Sequence, residues 1–309
     1  MSKDILSGVA FTVGLFSVSV FMPIIGFFCA MFIPLPVIYY RLKLGRQTGA
    51  MVPVLTLMVM VMMIGKLSVD TLAFSELLLL GFVLGELFEH DLPVEKTILY
   101  ASGSVLLAAS AILVFYSGWS NTSALALVTA YVGQNLELTL AMYRNMGVSE
   151  EAVQVLSDSM DQIRYMLVRI IPGLAAVSVM FISWSNLLMA RSVLKQRGMT
   201  PPDFGRLNQW QAPEHLVWGA IVCGILVMMT AKAFKLIGIN GLLVFLTVYF
   251  FQGIAIVSFF FEKKNFPRML RIVLYSMIAL QQAFVLAVIG LGLFDIWLNF
   301  RKLGRENSA

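Results

Sequence analysis

The sequence predicts an all-α protein that crosses a membrane several times, and two observations lead to this fold class. The 309 residues are 59% hydrophobic and only 13% charged, whereas soluble domains carry roughly a quarter charged residues. Apolar runs of about 18 or more residues recur along the chain, each long enough to cross the hydrocarbon core as a helix. Backbone groups in lipid must be satisfied within their own segment, which favours helices over isolated strands.

About eight or nine transmembrane helices are predicted. They lie near residues 5–21, 24–40, 50–65, 71–88, 97–117, 167–189, 215–234, 239–261 and 271–297. The first apolar stretch is too long for one crossing, and Pro23 marks the break between its two spans. Pro34 and Pro36 are expected to kink the end of the second span. The N-terminus resembles a signal peptide, but the apolar run continues to Tyr40 without a convincing cleavage site, which favours a retained helix.

One long connection follows the fifth span and is predicted to form two amphipathic helices. The first covers 121–146, and three residues make it too polar for an easy crossing: Gln134, Asn135 and Glu137. The second covers 150–165 and follows Ser149, a predicted N-cap with acidic residues in the next turn. Both helices are expected to lie on the membrane surface, or to dip into it, rather than to cross.

Basic residues indicate the orientation of the chain. They concentrate in the connections 41–49, 190–212 and 262–270, which even numbers of spans separate, so all three are predicted to be cytoplasmic. The long connection then lies outside, in a multi-pass protein of the bacterial cytoplasmic membrane. Nine spans would put the basic C-terminal tail outside as well, and the sequence leaves its side open.

The predicted spans divide into two modules. Residues 1–190 form an N-terminal six-helix membrane module that includes the amphipathic helices 121–165. Residues 191–214 form a cytoplasmic loop, and residues 215–309 form a C-terminal three-helix membrane module.

A cluster of unusual composition, "QWQAPEHLVWGA", marks the predicted start of the seventh span. Pro213 suits the first helical position, and Glu214 suits the positive end of the helix dipole. Trp210 and Trp218 are placed to anchor at the headgroups, with His215 between them. This structural interpretation accounts for the whole cluster; a functional role for Glu214 and His215 is the alternative.

The C-terminal third resembles the YybS-like family of uncharacterised bacterial membrane proteins. The resemblance rests on "WQAPEHLVW", a G-x-N start, a Y-F-x-Q-G segment and a terminal D-x-W-x-x-F-R. These correspond to Trp210, Pro213 and Glu214, to Gly238 and Asn240, to Tyr249, Phe250, Gln252 and Gly253, and to Asp295, Trp297, Phe300 and Arg301. It implies a fold and little chemistry. More distantly, the first six spans are similar in number and length to the substrate-binding components of energy-coupling-factor transporters, an architectural likeness alone.

Polar residues inside apolar spans are the main candidates for function, because burying them is costly unless they are paired or used. Glu76, Asn240 and Gln252 are predicted to bind a ligand in a cavity between the two modules, covered by the amphipathic helices. Hydrogen bonds between helices are the alternative for the amides. Asp295 and Arg301 are expected to form a charge set at the membrane interface.

Helical spacing predicts two further features. Small residues recur four apart, which puts each pair on one face: Ala10 with Gly14, and Gly81 with Gly85. Such pairs allow either close packing or docking of another membrane protein. Glu86 and His90 are also four apart and are expected to form an interfacial pair.

Enzymatic chemistry finds little support in the sequence. It contains no phosphate-binding G-x-x-x-x-G-K-[ST], H-E-x-x-H, G-x-S-x-G or C-x-x-C motif. Cys29 and Cys223 lie in apolar runs without metal spacing. The net charge of +5 comes from short loops beside helices, which excludes a nucleic-acid interface. The chain is therefore predicted to be no enzyme and to need no cofactor or metal.

The leading functional hypothesis is a transport component that binds a small molecule or lipid. Its partners would be the lipid bilayer and, to supply energy, another membrane protein or a separate ATPase. The alternatives are a non-transporting scaffold or assembly factor for an envelope complex, and an intramembrane enzyme. A transporter should have a cavity lined by the polar residues above. A scaffold should have its polar residues paired and a groove of small residues exposed.

Overall fold

The computed structural model describes residues 2–65 and 69–302, and within them the chain is helical, as predicted. Thirteen α-helices and one short 3-10 helix, Leu207–Gln209, occur in these residues. In chain order the α-helices are α1 Ser2–Phe21, α2 Pro23–Met31, α3 Pro34–Leu44, α4 Arg46–Ile64, α5 Val69–Leu87, α6 Val94–Trp119, α7 Ala124–Asn145, α8 Glu150–Asp158, α9 Met160–Gln196, α10 Leu216–Met228, α11 Lys232–Lys263, α12 Arg268–Leu280 and α13 Gln282–Leu298.

Each predicted span corresponds to one of these helices or to a helix pair. Six segments of the described chain are long and apolar enough to cross a membrane, and counting the pair α12–α13 as one span makes seven. The six are α1, the α2–α3 segment, α4, α6, α9 and α11. Of the other two predicted spans, α5 has three carboxylates within 19 residues and α10 has only 13 residues.

The second span is broken where its prolines were expected to kink it. α2 ends at Met31, and α3 begins at Pro34. The N–H groups of Phe32 and Ile33 fold back on α2, donating to the carbonyls of Cys29 (3.0 Å) and Ala30 (3.2 Å).

The last span is not one helix, contrary to the prediction for 271–297. α12 and α13 meet at a bend of 101°. Gln281 there has an extended backbone (φ −113°, ψ 113°), and its N–H donates to the Met277 carbonyl at 2.9 Å. Adjacent amide side chains at Gln281 and Gln282 interrupt the apolar run at this point, so an apolar average over the whole window concealed the break.

Two other boundaries differ from the sequence prediction. The connection 41–49 is almost entirely helical, because α3 and α4 are joined through Gly45 alone, in a left-handed conformation (φ +80°) that favours glycine. α11 begins at Lys232, before the predicted start at 239. The G-x-N pattern that was expected to start this span therefore lies inside a helix.

The long connection contains both predicted helices, but the second is shorter than predicted. α7 matches 121–146, and the Ser123 hydroxyl caps it by accepting from the Ala126 N–H at 3.2 Å. α8 starts after Ser149 and ends at Asp158, so the prediction of one helix over 150–165 is wrong. Residues 160–165 form the first turns of α9 instead. The placement of α7 and α8 against a bilayer stays a prediction.

The chain forms two compact units. Unit 1 contains residues 1–164 and 178–204, and unit 2 contains residues 165–177 and 205–309. Each unit has its own buried cluster. In unit 1 it consists of Phe16, Ile33, Val37, Met60 and Leu78, and in unit 2 of Ala212, Val217, Ala220 and Tyr249.

Glycines set the closest helix approaches in both units. In unit 1, a Cβ on Gly81 would press on Pro34 of α3 and one on Gly85 would press on Arg41, which confirms the predicted close packing of this pair. Gly14, by contrast, faces open space. In unit 2, a Cβ on Gly292 of α13 would overlap the backbone carbonyl of Tyr249 in α11. Dispersion contacts at such short range hold apolar helices together.

Candidate functional site

Glu76 lies in the interior of α5 on the side away from α3. Gly85, which faces α3, is nine residues further along, or roughly 180° around the helix. The Glu76 side chain is half-buried, and the described residues provide no hydrogen bond or ion pair for its carboxylate. A carboxylate in this setting is a functional candidate, because an unpaired charge between apolar helices is costly.

The helix break in unit 1 places an asparagine against the backbone. In an uninterrupted helix the Met31 carbonyl would accept from the Leu35 N–H, but that N–H donates to the Phe32 carbonyl at 3.1 Å. Instead, Asn186 Nδ2 donates to the Met31 carbonyl (2.7 Å) and to the Ile182 carbonyl of its own helix (2.8 Å). The amide therefore satisfies an acceptor that the break exposes.

The oxygen of the same amide has no partner among the described residues. Asn186 is fully buried, and its Oδ1 receives no hydrogen bond. Reversing the amide would not help, because both partners of Nδ2 are carbonyls and need a donor. The cause is the local sequence: Pro34 and Pro36 have no N–H, and the N–H groups of Phe32 and Ile33 are used within α2.

One buried serine lies on α9 one turn before this amide, and a second serine contacts the first from α6. Ser183 precedes Asn186 by three residues and so shares its helix face. Its hydroxyl donates to the Val179 carbonyl at 2.7 Å, and the hydroxyl oxygen of Ser102 on α6 is 3.4 Å away. Both serines are buried. The proton of Ser183 is thereby committed, and its lone pairs face the neighbouring helix.

A buried arginine binds two glutamates at the C-terminal end of α5. The guanidinium of Arg41, 1% exposed, donates from Nε to Glu86 (2.7 Å) and from Nη2 to Glu89 (2.8 Å). The hydrogen bond from Arg41 lowers the pKa of Glu89 below its ordinary 4.5. The predicted pair of Glu86 with His90 is wrong, because α5 ends at Leu87 and Glu86 pairs with arginine instead.

In unit 2, Asn240 is fully hydrogen-bonded to one turn of α9. Its Oδ1 accepts from the Gly173 N–H at 2.6 Å, and its Nδ2 donates to the carbonyls of Arg169 (3.0 Å) and Leu236 (2.8 Å). Gly173 and Arg169 are the donor and acceptor that would pair with each other in a regular helix. The amide joins both groups, beside Pro172, and Gly173 leaves room for it.

Gln252 belongs to a buried network at the end of α13. Its Nε2 donates to Asp295 and its Oε1 accepts from the Ala212 N–H, both at 3.2 Å. Asp295 forms a 2.8 Å ion pair with Arg301, and neither side chain is exposed to solvent. The Nη1 of Arg301 donates to the Trp210 carbonyl at 3.0 Å. The charge set expected at an interface is therefore an internal clamp of unit 2.

The cluster at the start of α10 is only partly incorporated into this network. Trp210 packs against the buried cluster of unit 2, whereas Trp218 is 68% exposed. Pro213 is not the first helical residue, because α10 begins at Leu216 after a turn in which the Pro213 carbonyl accepts from the Leu216 N–H at 3.0 Å. Glu214 and His215 lie exposed in that turn.

The sequence over residues 10–296 matches one family, described as "Predicted membrane protein (DUF2232)". The chain belongs to the DUF2232 family. A relative, the uncharacterised protein YybS of Bacillus subtilis, is 21% identical over 291 residues, which cover 92% of this chain and 91% of the relative. No solved structure matches the chain.

In this DUF2232 protein, four residues of the C-terminal motifs come together. Trp210, Gln252, Asp295 and Arg301 form one hydrogen-bonded set, from segments separated by up to 91 positions. Trp297 of the same motif is 59% exposed and takes no part. The motif residues are therefore positioned to hold unit 2 together.

The described residues contain no group of three or more His, Cys, Asp or Glu side chains that could hold a metal ion. Polar sites within the apolar helices consist mainly of neutral oxygens, with Glu76 as the isolated carboxylate. Such a set suits a weakly bound cation or a polar organic ligand better than a transition metal.

Sequence analysis missed Asn186, Ser183 and Arg41. Arg41 was assigned to a loop, but it lies in α3 and is buried. Asn186 lies near the end of a predicted apolar span, and the signal that could have found it is the Pro34-x-Pro36 pair. Two prolines predict carbonyls without N–H partners, and these need a donor side chain from elsewhere.

Proposed function

We propose that this protein is a transport component of the bacterial cytoplasmic membrane and binds a small polar molecule or lipid through unit 1. The observation that carries the proposal is Glu76, a half-buried carboxylate in an apolar helix that has no hydrogen-bond or ion-pair partner among the described residues. Intramembrane carboxylates of this kind occur on substrate and ion pathways. The broken segment α2–α3 adds support, because transporters place binding sites at discontinuous helices.

The two amides of unit 2 support the proposal less. Asn240 and Gln252 have their polar groups bonded to the protein itself, as helix-packing amides do. Of the three residues predicted to bind a ligand, Glu76 is the one on which the proposal rests. The cavity between the two modules stays a prediction.

Energy for transport would come from an ion gradient or from a separate ATPase, because the sequence has no nucleotide-binding motif. The proposal assigns the chain no catalytic step. A chain of mostly apolar helices is consistent with a membrane protein that binds its substrate and receives the energy for transport from outside the chain.

Thermal unfolding of the purified full-length protein tests the proposal. The wild type and Glu76→Gln would be screened against water-soluble vitamins, amino acids and purified phospholipids, with Glu151→Gln on the exposed side of α8 as control. We expect at least one compound to raise the Tm of the wild type and of the control but not of Glu76→Gln. Uptake of that compound into proteoliposomes would then establish transport. A response that Glu76→Gln retains in full would contradict the role of this carboxylate.

A scaffold function is favoured by one different observation. An open groove of about 550 Å³ runs along α7, and its lining includes four small residues, Ser123, Ala126, Ala130 and Gly133, together with the polar side chains of Gln134, Glu137 and Arg164. Exposed apolar side chains flank the same helix, including Leu125 at 62% and Leu138 at 64%. Small residues at such spacing allow another helix to approach closely.

Photo-crosslinking in living cells tests the scaffold function, because it shows whether another protein docks on α7. A photoreactive residue at Ala130 should capture one defined protein, a residue at exposed Leu107 of α6 should not, and Gly133→Leu should abolish the adduct. Adducts with lipid alone at Ala130 would argue against a docked protein.

A further inference from the structure

The end of α2 in unit 1 is rich in hydrogen-bond acceptors and poor in donors. The amide of Asn186 is fixed by two carbonyls, so its buried Oδ1 is left as an acceptor. A water molecule or a cation are the two kinds of group that can satisfy a buried, acceptor-only oxygen.

Other oxygens in unit 1 add to this excess of hydrogen-bond acceptors. Ser183 and Asn186 share a helix face, and the proton of Ser183 is used by the Val179 carbonyl. Ser102 Oγ lies 3.4 Å from Ser183 Oγ, near the long limit for a hydrogen bond, and both oxygens keep lone pairs. The C-terminal end of the nine-residue helix α2 contributes the negative end of its dipole.

Neutral oxygens select the charge of the ion. Divalent Ca²⁺ and Mg²⁺ sites use carboxylate ligands, and none of the oxygens described above is a carboxylate. Transporters bind Na⁺ with backbone carbonyls at unwound helix segments and half-helix C-terminal ends. The oxygens at this break therefore suit a monovalent ion.

We propose that the side-chain oxygens of Asn186, Ser183 and Ser102 bind a monovalent alkali cation, Na⁺, at the break between α2 and α3. The inference deepens the proposed transport function and rests on it for its purpose, since the ion would couple transport to a sodium gradient. Binding itself is measured without any transport assay.

The experiment uses the purified full-length protein in detergent. Its Tm is measured while NaCl replaces choline chloride at constant ionic strength, and KCl replaces it in a parallel series. We expect Na⁺ to raise the Tm saturably, by about 2–6 °C, and K⁺ to raise it less. The double variant Ser102→Ala/Ser183→Ala keeps the Asn186–Met31 contact and should need about tenfold more Na⁺, or lose the response.

Ser110→Ala is the matched control. Ser110 is on the same helix as Ser102, but it is exposed and its hydroxyl donates only to the Leu106 carbonyl. The control should respond to Na⁺ as the wild type does. Equal Tm values in NaCl, KCl and choline chloride would overturn the site, as would an unchanged Na⁺ response in the double variant.

The two proposals fail separately. A Na⁺ response that depends on the serines, together with a ligand response that Glu76→Gln retains, would keep the ion site and remove the Glu76 proposal. A Glu76-dependent ligand response without any Na⁺ effect would keep the proposed function and remove the ion site.

Discussion

Two buried asparagines, Asn186 in unit 1 and Asn240 in unit 2, make the same contacts with one exception. Each Nδ2 donates to the carbonyl four residues earlier on its own helix and to a carbonyl of another helix. Asn240 Oδ1 also accepts from a backbone N–H, that of Gly173, whereas Asn186 Oδ1 has no partner in the described chain. The two regions therefore differ in a single hydrogen bond.

The neighbouring prolines explain the difference. Beside Pro172, the Gly173 N–H remains available to Asn240. Beside Pro34 and Pro36, the missing or committed N–H groups leave nothing for Asn186. A proline in a membrane helix is thus tolerated when one side chain can satisfy both sides of the gap. When only carbonyls are exposed, the amide nitrogen can satisfy them, but the amide oxygen is left without a hydrogen-bond donor.

Both units also contain buried donors or hydroxyls without a hydrogen bond among the described residues. In unit 1 these are Arg41 Nη1 and the Thr56 hydroxyl, and unit 2 has two comparable atoms. They are Arg301 Nε, a donor, and the hydroxyl of Tyr249, which can donate as well as accept. The Arg301 guanidinium is otherwise held by Asp295 and two backbone carbonyls. Unit 1 differs from unit 2 in the acceptor-only oxygen of Asn186 and in the Glu76 carboxylate, neither of which has a partner in the described chain.

The largest effect on stability is expected when the buried ion pair of unit 2 is broken. Arg301→Met leaves the buried Asp295 carboxylate without a cation and should lower the free energy of unfolding by about 3–5 kcal/mol. Asp295→Asn/Arg301→Met removes both charges, keeps an acceptor for Gln252, and should recover most of the loss. Denaturation in detergent measures both. As control, Arg206→Ala breaks an exposed pair with Glu262 and should change stability by about 1 kcal/mol or less.

Helix packing in unit 2 should be the next most sensitive feature. Gly292→Ala places a Cβ against the Tyr249 carbonyl oxygen and should cost about 1–3 kcal/mol. Gly290→Ala, two residues earlier on the same helix, meets open space and should be neutral or stabilising by up to about 1 kcal/mol. Equal Tm values for the two variants would show that α11 and α13 do not cross closely.

A smaller loss of stability is expected when Asn240, whose amide is fully hydrogen-bonded within unit 2, is replaced. Asn240→Leu should lower stability by about 1–2 kcal/mol at most and leave any ligand response intact, because its contacts are with the protein. Asn135→Leu, which removes an exposed amide bonded to the Tyr131 carbonyl, is the control. Loss of ligand binding at unchanged stability would instead place Asn240 at a site.

The smallest predicted effect is on the dependence of thermal stability on pH. Glu89 has a lowered pKa in the folded protein, so its bond to Arg41 stabilises unit 1 above the ordinary pKa of 4.5. That contribution is lost as the pH falls from 4.5 through the lower folded-state value. Because Glu89 is half exposed, Glu89→Gln should flatten the Tm–pH curve in this range only slightly. An unchanged curve would contradict the assignment, and Glu151→Gln provides the reference.

The sequence was sufficient for the helices and insufficient for their interruptions. A bilayer requires long apolar helices, and hydropathy reads that requirement directly, so α1, α6 and α9 could be located. The bend at Gln281 escaped because one polar pair hardly changes an apolar average. The clear prolines at 34 and 36 indicated the other break.

Predictions about the candidate site failed for a different reason. Asn240 and Asn186 look alike in sequence, since each is an amide in an apolar run. Which of their atoms is satisfied depends on residues about 70 to 155 positions away. Arg41 could not be recognised as buried, because its partners Glu86 and Glu89 come from the far end of another helix. Long-range pairing of this kind leaves no local pattern.

The length of α9 has a consequence for where the membrane ends. Its 37 residues extend about 55 Å as an α-helix, against roughly 40–45 Å for a bilayer with its headgroups. Even a tilt of about 20° leaves roughly 50 Å along the membrane normal. At that tilt, at least one turn of α9 would extend beyond the headgroups into water. The charged side chains in its terminal turns, Asp161 at the start and Lys195 at the end, suit such a position in water.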